Sequence, residues 1–188
     1  MAEVVLFHSI LGLRPAERAW TERLSAAGHR VTTPDLVAGE TAGDYAAGEA
    51  LRDRIGWESM LGRARAALAP LPPETVLAGV SMGAQVAGEI WAERPRTAGV
   101  LLLHGPCEVP SDPRPGLPVQ AHLADPEPFD DEGFIADWAE AMRAAGLDFE
   151  LHRYPGVGHY FTDATLPDHH SSAAALAQER ALAFLARL

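Results

Sequence analysis

The sequence predicts an α/β fold, a mostly parallel sheet with helices on both faces. Short apolar runs, long enough for strands and too short for helices, alternate along the chain with segments of helical spacing. Apolar residues make up 47% of the 188 residues, enough for a substantial core. Neither an internal repeat nor a long linker divides the sequence, so residues 1–188 are predicted to form a single domain.

The first half of the chain begins with a predicted strand at residues 4–7. A helix follows over residues 15–28, because it starts with proline, which suits a first helical position, and ends with glycine, which tolerates left-handed backbone angles. A second strand at 29–33 and a second helix at 55–69 come next. The stretch between them, 36–54, is rich in glycine, alanine and acidic residues and is predicted to be irregular.

The second half continues the alternation. Strands are predicted at 75–78, 99–103, 118–123 and 149–153, and helices at 82–94, 133–145 and 171–187, with a proline-rich irregular stretch at 106–118. In the last helix the predicted inward stripe consists of Leu176, Ala177, Ala181, Phe184, Leu185 and Leu188. Ligands of parallel sheets bind beyond the carboxyl ends of the strands, so the loops that follow strands are where a site is expected.

The charge of the chain excludes some classes of partner. A net charge of −11 repels nucleic acids and anionic membranes at long range, so neither is predicted as a partner. The first apolar run is too short for a signal peptide and follows an acidic residue, and no stretch approaches the ~20 apolar residues of a membrane span. We therefore expect a cytoplasmic protein, either a monomer or a homodimer.

The residue types present limit the chemistry. The sequence contains no lysine, which excludes Schiff-base chemistry, pyridoxal phosphate anchoring and P-loop nucleotide binding. Cys107 is the only cysteine, and the histidines show no convincing metal-ligand spacing. His104 and His122 lie at predicted strand ends and are expected to be buried. No cofactor and no metal are predicted. Nucleophilic or acid–base chemistry by the side chains is the class of reaction that these residue types still allow.

Ser81 is the candidate nucleophile. It is the central residue of GVSMG at 79–83, between an apolar strand and a helix of small residues. A G-x-S-x-G pattern alone is weak evidence, but a nucleophile elbow requires this strand–turn–helix context, because the serine has to project from a strained turn clear of the sheet. A β-carbon at either flanking glycine would crowd the turn or block the packing of helix against strand.

A serine nucleophile needs a base and an acid on later loops, in the chain order serine, acid, histidine. His159 is the best base, because it follows a predicted strand through the glycine-containing loop YPGVG at 154–158. Asp125 and Glu127 both follow the preceding strand, and either carboxylate can orient an imidazole, so the residues alone leave the two nearly even. Asp130 and Asp131 better suit the start of the next helix, where negative charge is favourable.

Beyond the elbow, the chain is similar to the dienelactone hydrolase family of α/β-hydrolases over nearly its full length. The likeness is carried by LFHSILGL near the start, PDL at 34–36, HLADPEPF at 122–129, YPGVGHYFTD at 154–163 and ALAQERALAFLARL at the end. The resemblance implies an α/β-hydrolase fold with a minimal cap. It favours Glu127 over Asp125 as the acid, and it implies the backbone N–H groups of Met82 and Ile10 as the oxyanion hole.

Three positions depart from the family pattern. Ser81 stands where dienelactone hydrolases proper have a cysteine nucleophile, and Ser9 stands where they have a glutamate. Residues 161–163, FTD, lack the arginine that meets the substrate carboxylate. The resemblance with these departures implies a serine hydrolase that cleaves a small ester or lactone other than dienelactone. The alternatives are an acyltransferase or perhydrolase with the same residues, or a ligand-binding relative without turnover.

Overall fold

A computed structural model describes all 188 residues and contains one sheet of six parallel strands in the order β2-β1-β3-β4-β5-β6. The strands are β1 (Glu3–Phe7), β2 (Arg30–Thr32), β3 (Val76–Val80), β4 (Val100–Leu103), β5 (Pro118–Asp125) and β6 (Asp148–Pro155). The helices are α1 (Pro15–Ala26), α2 (Tyr45–Ile55), α3 (Trp57–Leu68), α4 (Met82–Trp91), α5 (Glu132–Ala144) and α6 (Ser171–Ala186). The predicted fold class is confirmed, and each predicted strand is present.

The core lies on both faces of the sheet. Successive strand residues point to opposite faces, so Val5 and Phe7 of β1 join a cluster of 31 buried residues while Val4 and Leu6 join a cluster of 12. Helices α2, α3, α4 and α5 cover the larger cluster, and α1 and α6 cover the smaller one. This burial on both sides explains why β1 is a continuous apolar run, as strands of parallel sheets usually are.

The prediction that residues 36–54 are irregular is wrong in its second half, where α2 lies. The helix begins after Asp44, whose carboxylate accepts a hydrogen bond of 2.8 Å from the Ala47 N–H. Its buried side consists of only Gly48 and Leu51, so the apolar periodicity that reveals a helix is nearly absent. The proline-rich stretch, by contrast, contains neither helix nor strand over residues 106–117, as predicted, and β5 begins at its last residue, Pro118.

Two further details differ from the prediction. The helix predicted at 55–69 begins at Trp57, because Gly56 has a φ of 83° and ends α2 after Ile55. In α6, Leu176 is 40% exposed instead of facing inward. The buried stripe of α6 passes through Ala177 and Ala181, and Leu176 lies about 100° around the helix from Ala177. None of the six helices is both long and apolar enough to cross a membrane.

Candidate active site

Ser81 lies on the turn that joins β3 to α4, at the carboxyl end of a central strand. Its φ of 53° and ψ of −113° are uncommon for a residue with a β-carbon, and its N–H donates a hydrogen bond of 2.7 Å to the Leu103 carbonyl. A β-carbon at Gly79 would lie 2.0 Å from the Gly83 carbonyl oxygen, and one at Gly83 would lie 2.2 Å from the Phe7 carbonyl oxygen. Both glycines therefore permit the close packing that holds Ser81 in this conformation.

Three side chains from three loops form one line of hydrogen bonds. Nε2 of His159 lies 2.9 Å from Oγ of Ser81, and Nδ1 of His159 lies 2.5 Å from Oε1 of Glu127. The Glu127 side chain is fully buried and that of His159 is 5% exposed. Because a carboxylate only accepts hydrogen bonds, the neutral imidazole carries its proton on Nδ1 and accepts the Ser81 hydroxyl proton at Nε2.

The structure separates the two carboxylates between which the residues alone could not choose. Glu127 contacts His159, whereas Asp125 lies 3.2 Å from the Arg153 guanidinium, on the other side of a cis peptide bond to Pro126. Asp131 caps α5 by accepting a hydrogen bond from a backbone N–H of the first turn, as expected. Glu127 is therefore the carboxylate within reach of the imidazole.

The predicted oxyanion donors lie at the start of α4 and on the loop after β1. Met82 is the first residue of α4, so its N–H is among those that have no partner within the helix. Ile10 lies on the loop after β1, and its N–H donates to no carbonyl or side chain of the protein. Neither N–H group therefore has a hydrogen-bond partner in the protein, as an oxyanion donor requires.

Glu17 fixes the loop that carries Ile10. Its buried carboxylate accepts hydrogen bonds from the Ser9 N–H at 3.2 Å, the Ser9 hydroxyl at 2.8 Å and the Arg14 N–H at 3.1 Å. Glu17 was not among the predicted site residues. Its only local signal is a glutamate at the third position of α1, and the usual Ser or Thr three residues earlier is replaced by Arg14.

Tyr160 was not predicted as a site residue either, although it directly follows the candidate base, His159. Its hydroxyl lies 3.3 Å from Oγ of Ser81 and its ring packs edge-on against the His159 ring, with centroids 4.6 Å apart. Burial raises the pKa of Tyr160 to about 12, so the hydroxyl remains a proton donor throughout the neutral range. Tyr160 therefore presents a neutral hydrogen-bond donor to Ser81.

Asp168 holds the loop on which His159 and Tyr160 lie. Its carboxylate accepts a hydrogen bond of 3.1 Å from the Tyr160 N–H. The same carboxylate packs against Gly158, where an added β-carbon would lie 2.6 Å from Cγ of Asp168. The glycine before His159 thus allows this contact.

A cavity of about 350 Å³ adjoins the His159 and Tyr160 side chains. Its apolar walls consist of Leu11, Tyr45, Pro128, Phe129, Leu166 and Pro167. The Tyr45 and Phe129 rings are stacked with centroids 4.5 Å apart, and the Phe129 ring meets the His159 ring edge-on at 4.6 Å. A larger hollow of about 510 Å³ near Arg52 contains none of Ser81, His159 or Glu127, so the smaller cavity is the one next to the candidate base.

The remaining reactive groups lie apart from this site or are held in the interior. Cys107 is buried, and burial raises the pKa of its thiol, so it is no competing nucleophile. His104 and His122 are buried, as expected, and burial lowers the pKa of each. No three His, Cys, Asp or Glu side chains lie close enough together to hold a metal ion.

The model of the dienelactone hydrolase family matches residues 1–188. Among solved structures, the chain is similar to a dienelactone hydrolase-like promiscuous phosphotriesterase from metagenomic libraries, with 17% identity and a TM-score of 0.78 over 100% of this chain and 87% of that one. A candidate dienelactone hydrolase from Klebsiella pneumoniae is similar with 18% identity and a TM-score of 0.78, over 100% and 88%.

Esterase PE8 is a further similar structure, with 19% identity and a TM-score of 0.64 over 99% of this chain and 92% of that one. A comparison with curated protein sequences finds no match. At such low identities the solved structures show a shared fold, and the match to the family model is what shows the family.

Proposed function

Because the chain belongs to the dienelactone hydrolase family of α/β-hydrolases, we propose that it is a serine hydrolase that cleaves a small ester or lactone through an acyl-enzyme on Ser81. The observation that carries the proposal is the unbroken line of hydrogen bonds from Glu127 through His159 to Ser81. Nucleophile, base and orienting carboxylate in this arrangement are what acyl transfer requires.

Acylation begins when Oγ of Ser81 attacks the substrate carbonyl carbon and its proton passes to Nε2 of His159. The new oxygen–carbon bond forms as the carbonyl electron pair moves onto oxygen, and the Met82 and Ile10 N–H groups bind that oxyanion. Deleting one such donor typically costs about 3–4 kcal/mol of transition-state stabilisation. The intermediate then breaks its bond to the leaving oxygen, which takes the proton from His159.

Deacylation repeats these steps with water. His159 takes one proton from a water molecule while the hydroxide adds to the acyl carbon, and collapse of the second intermediate releases the carboxylic acid. Oγ of Ser81 recovers its proton from His159, so ester and water become acid and alcohol. Glu127 remains a carboxylate throughout, orienting the imidazole and stabilising its charged form.

The first experiment is labelling with a fluorescent fluorophosphonate, followed by mapping of the labelled peptide. We expect the label on Ser81, its loss in Ser81→Ala and its retention in the control variant Cys107→Ala, whose thiol is buried. Folding of each variant is checked by circular dichroism. A folded wild-type protein that stays unlabelled would contradict the proposal and favour a ligand-binding relative without turnover.

Product analysis separates hydrolysis from transfer to another acceptor. With a short ester as substrate, we expect the free acid as the main product even when alcohols, amines or hydrogen peroxide are present at moderate concentration. A dominant ester, amide or peracid product would instead favour the acyltransferase or perhydrolase alternative, which uses the same residues.

A further inference from the structure

The cavity next to His159 offers a way to infer the substrate class, and this inference rests on the proposed function. His159 and Tyr160 line the cavity, and the Tyr45–Phe129 stack, which meets the His159 ring through Phe129, lines it beside them. A volume of about 350 Å³ lies at the lower end of the range for small-molecule sites. The cavity therefore has room for one small group rather than for a polymer.

The position of the cavity identifies which part of an ester it would hold. In acylation, Nε2 of His159 protonates the leaving oxygen, so that oxygen has to come within hydrogen-bond reach of the imidazole. The group bonded to the leaving oxygen is the alcohol portion of the ester. Because the cavity adjoins the His159 ring, the alcohol portion is the part that extends into it.

The lining of the cavity is apolar, with two aromatic rings that present large surfaces at little entropic cost. Phe129 is 50% exposed even though it lies against both Tyr45 and His159. A bound alkyl chain or ring would cover part of this exposed surface, and burial of apolar surface is favourable in proportion to the area removed from water. Phe129 is thus suited to determine which alcohol groups bind in the cavity.

The two aspartates that line the cavity carry negative charge. Asp44 and Asp168 are among its lining residues, and no arginine is. Arg14, on the loop that follows Leu11, is paired with the Asp163 carboxylate at 3.5 Å instead. A substrate carboxylate in this cavity would meet like charges and no arginine among the lining residues, which disfavours its binding.

We propose that this cavity is the alcohol subsite and that it selects esters of uncharged, apolar alcohols, about six carbons long or carrying one aromatic ring. Phe129 is the main specificity-determining residue, and Asp44 contributes to the exclusion of anionic alcohols. Substrates of the same length that carry a carboxylate on the alcohol portion bind poorly, because Asp44 and Asp168 repel that charge.

Acetate esters test the proposal most cleanly, because all of them give the same acetyl-enzyme and differ only in acylation. The kcat/KM of hexyl acetate is expected to exceed that of ethyl acetate by about tenfold or more, and that of 6-acetoxyhexanoate to lie about tenfold or more below hexyl acetate. Ethyl hexanoate, whose chain is on the acyl side, should show no comparable gain over ethyl acetate.

Two variants and one control connect the preference to the cavity. Phe129→Ala should lower the hexyl-to-ethyl ratio by about fivefold, whereas Phe134→Ala, which removes an equally exposed ring outside the cavity, should leave activity and ratio within about twofold. Asp44→Asn keeps a good N-cap for α2 and removes the charge, so it should raise the ratio of 6-acetoxyhexanoate to hexyl acetate by about two- to threefold.

The outcomes distinguish this inference from the proposed function. If ethyl acetate is cleaved and Ser81 is labelled, but the alcohol chain has no effect or Phe134→Ala acts like Phe129→Ala, the subsite is wrong and the hydrolase stands. A gain that appears only in the acyl series would overturn the assignment to the alcohol. If no acetate ester is cleaved and Ser81 stays unlabelled, both proposals fail.

Discussion

Glu127 and His159 meet at 2.5 Å, with the glutamate side chain fully withdrawn from solvent. The second carboxylate oxygen, Oε2, is also buried and has no hydrogen-bond partner in the protein. A buried carboxylate without other donors depends on the imidazole for its stabilisation, and an imidazolium is the better partner. This relationship couples the charge of Glu127 closely to the proton that His159 receives during catalysis.

The first prediction compares the two carboxylates that follow β5. Glu127→Gln should lower kcat by about 10³- to 10⁴-fold, because an amide at this place no longer selects the imidazole tautomer that accepts the serine proton. Asp125→Asn removes only the contact with Arg153 and should change kcat by less than about threefold. Steady-state kinetics with p-nitrophenyl acetate measures both, and the opposite order of effects would assign the role to Asp125.

The second prediction concerns Glu17, which we interpret as a positioning residue for the oxyanion loop. Glu17→Ala leaves the Ser9 N–H and hydroxyl without their buried acceptor, so the free energy of unfolding should fall by about 1–3 kcal/mol. A displaced Ile10 N–H should also lower kcat by about 10²-fold at an unchanged KM. Glu17→Gln keeps one acceptor oxygen and should restore part of kcat. A stability loss with normal kcat would leave Glu17 a purely structural role.

The third prediction tests the Tyr160 hydroxyl. Tyr160→Phe removes one neutral donor to Oγ of Ser81 and should lower kcat/KM by about three- to tenfold. Because burial raises the pKa of Tyr160 to about 12, the difference between wild type and variant should stay constant from pH 7 to about pH 10. A difference that disappears near pH 10 would indicate a tyrosine with an ordinary pKa.

The fourth prediction is a pH dependence of stability that arises from His122. Burial lowers its pKa from 6.5 to about 3, and its ring is held between the Tyr154 hydroxyl at 2.8 Å and Oε1 of Gln120 at 2.9 Å. Below pH 6.5 the unfolded chain takes up a proton that the folded chain refuses until about pH 3. The free energy of unfolding should therefore fall as pH is lowered through this window, by about 1.4 kcal/mol per pH unit from this residue.

Denaturant unfolding of wild type and His122→Gln between pH 7 and pH 5 measures this contribution. The variant should be less stable at pH 7, where it loses a packed ring, and yet its stability should fall less steeply with pH. His8 and His29 also have lowered pKa values, but His122 is not among the causes, so they contribute equally to both proteins. The difference in slope therefore reports His122 together with its electrostatic interaction with His104 and His152. Equal slopes would show that His122 is not the group responsible.

Much of the fold could be predicted because its signals are local. The strand before Ser81, the glycines at 79 and 83 and the helix of small residues after them lie within one short stretch of sequence. The two glycines also have a steric reason, since a β-carbon at either of them would overlap a backbone atom. Glu127 is different: two carboxylates follow β5, and only the resemblance to a family favoured the one that the structure brings to His159.

The features that were not predicted depend on contacts between distant parts of the chain. Tyr45 and Phe129 stack although 84 positions separate them, and nothing in the HLADPEPF motif that ends at Phe129 indicates Tyr45 as its partner. The hydrogen bonds of Glu17 involve a loop whose path cannot be deduced from periodicity. Helix α2 was missed for a related reason, because it is stabilised by a small glycine-containing contact surface and not by an apolar stripe.

Ser81 is the residue proposed to carry the acyl group, and trapping that intermediate is the decisive experiment. The protein is mixed with p-nitrophenyl acetate, quenched in acid within the first turnovers and digested for peptide mass spectrometry. We expect one acetyl group on the peptide that contains Ser81, together with a burst of nitrophenol, and neither in Ser81→Ala. Rapid turnover with the acetyl group on another residue, or with no acetylated peptide and no burst, would contradict it.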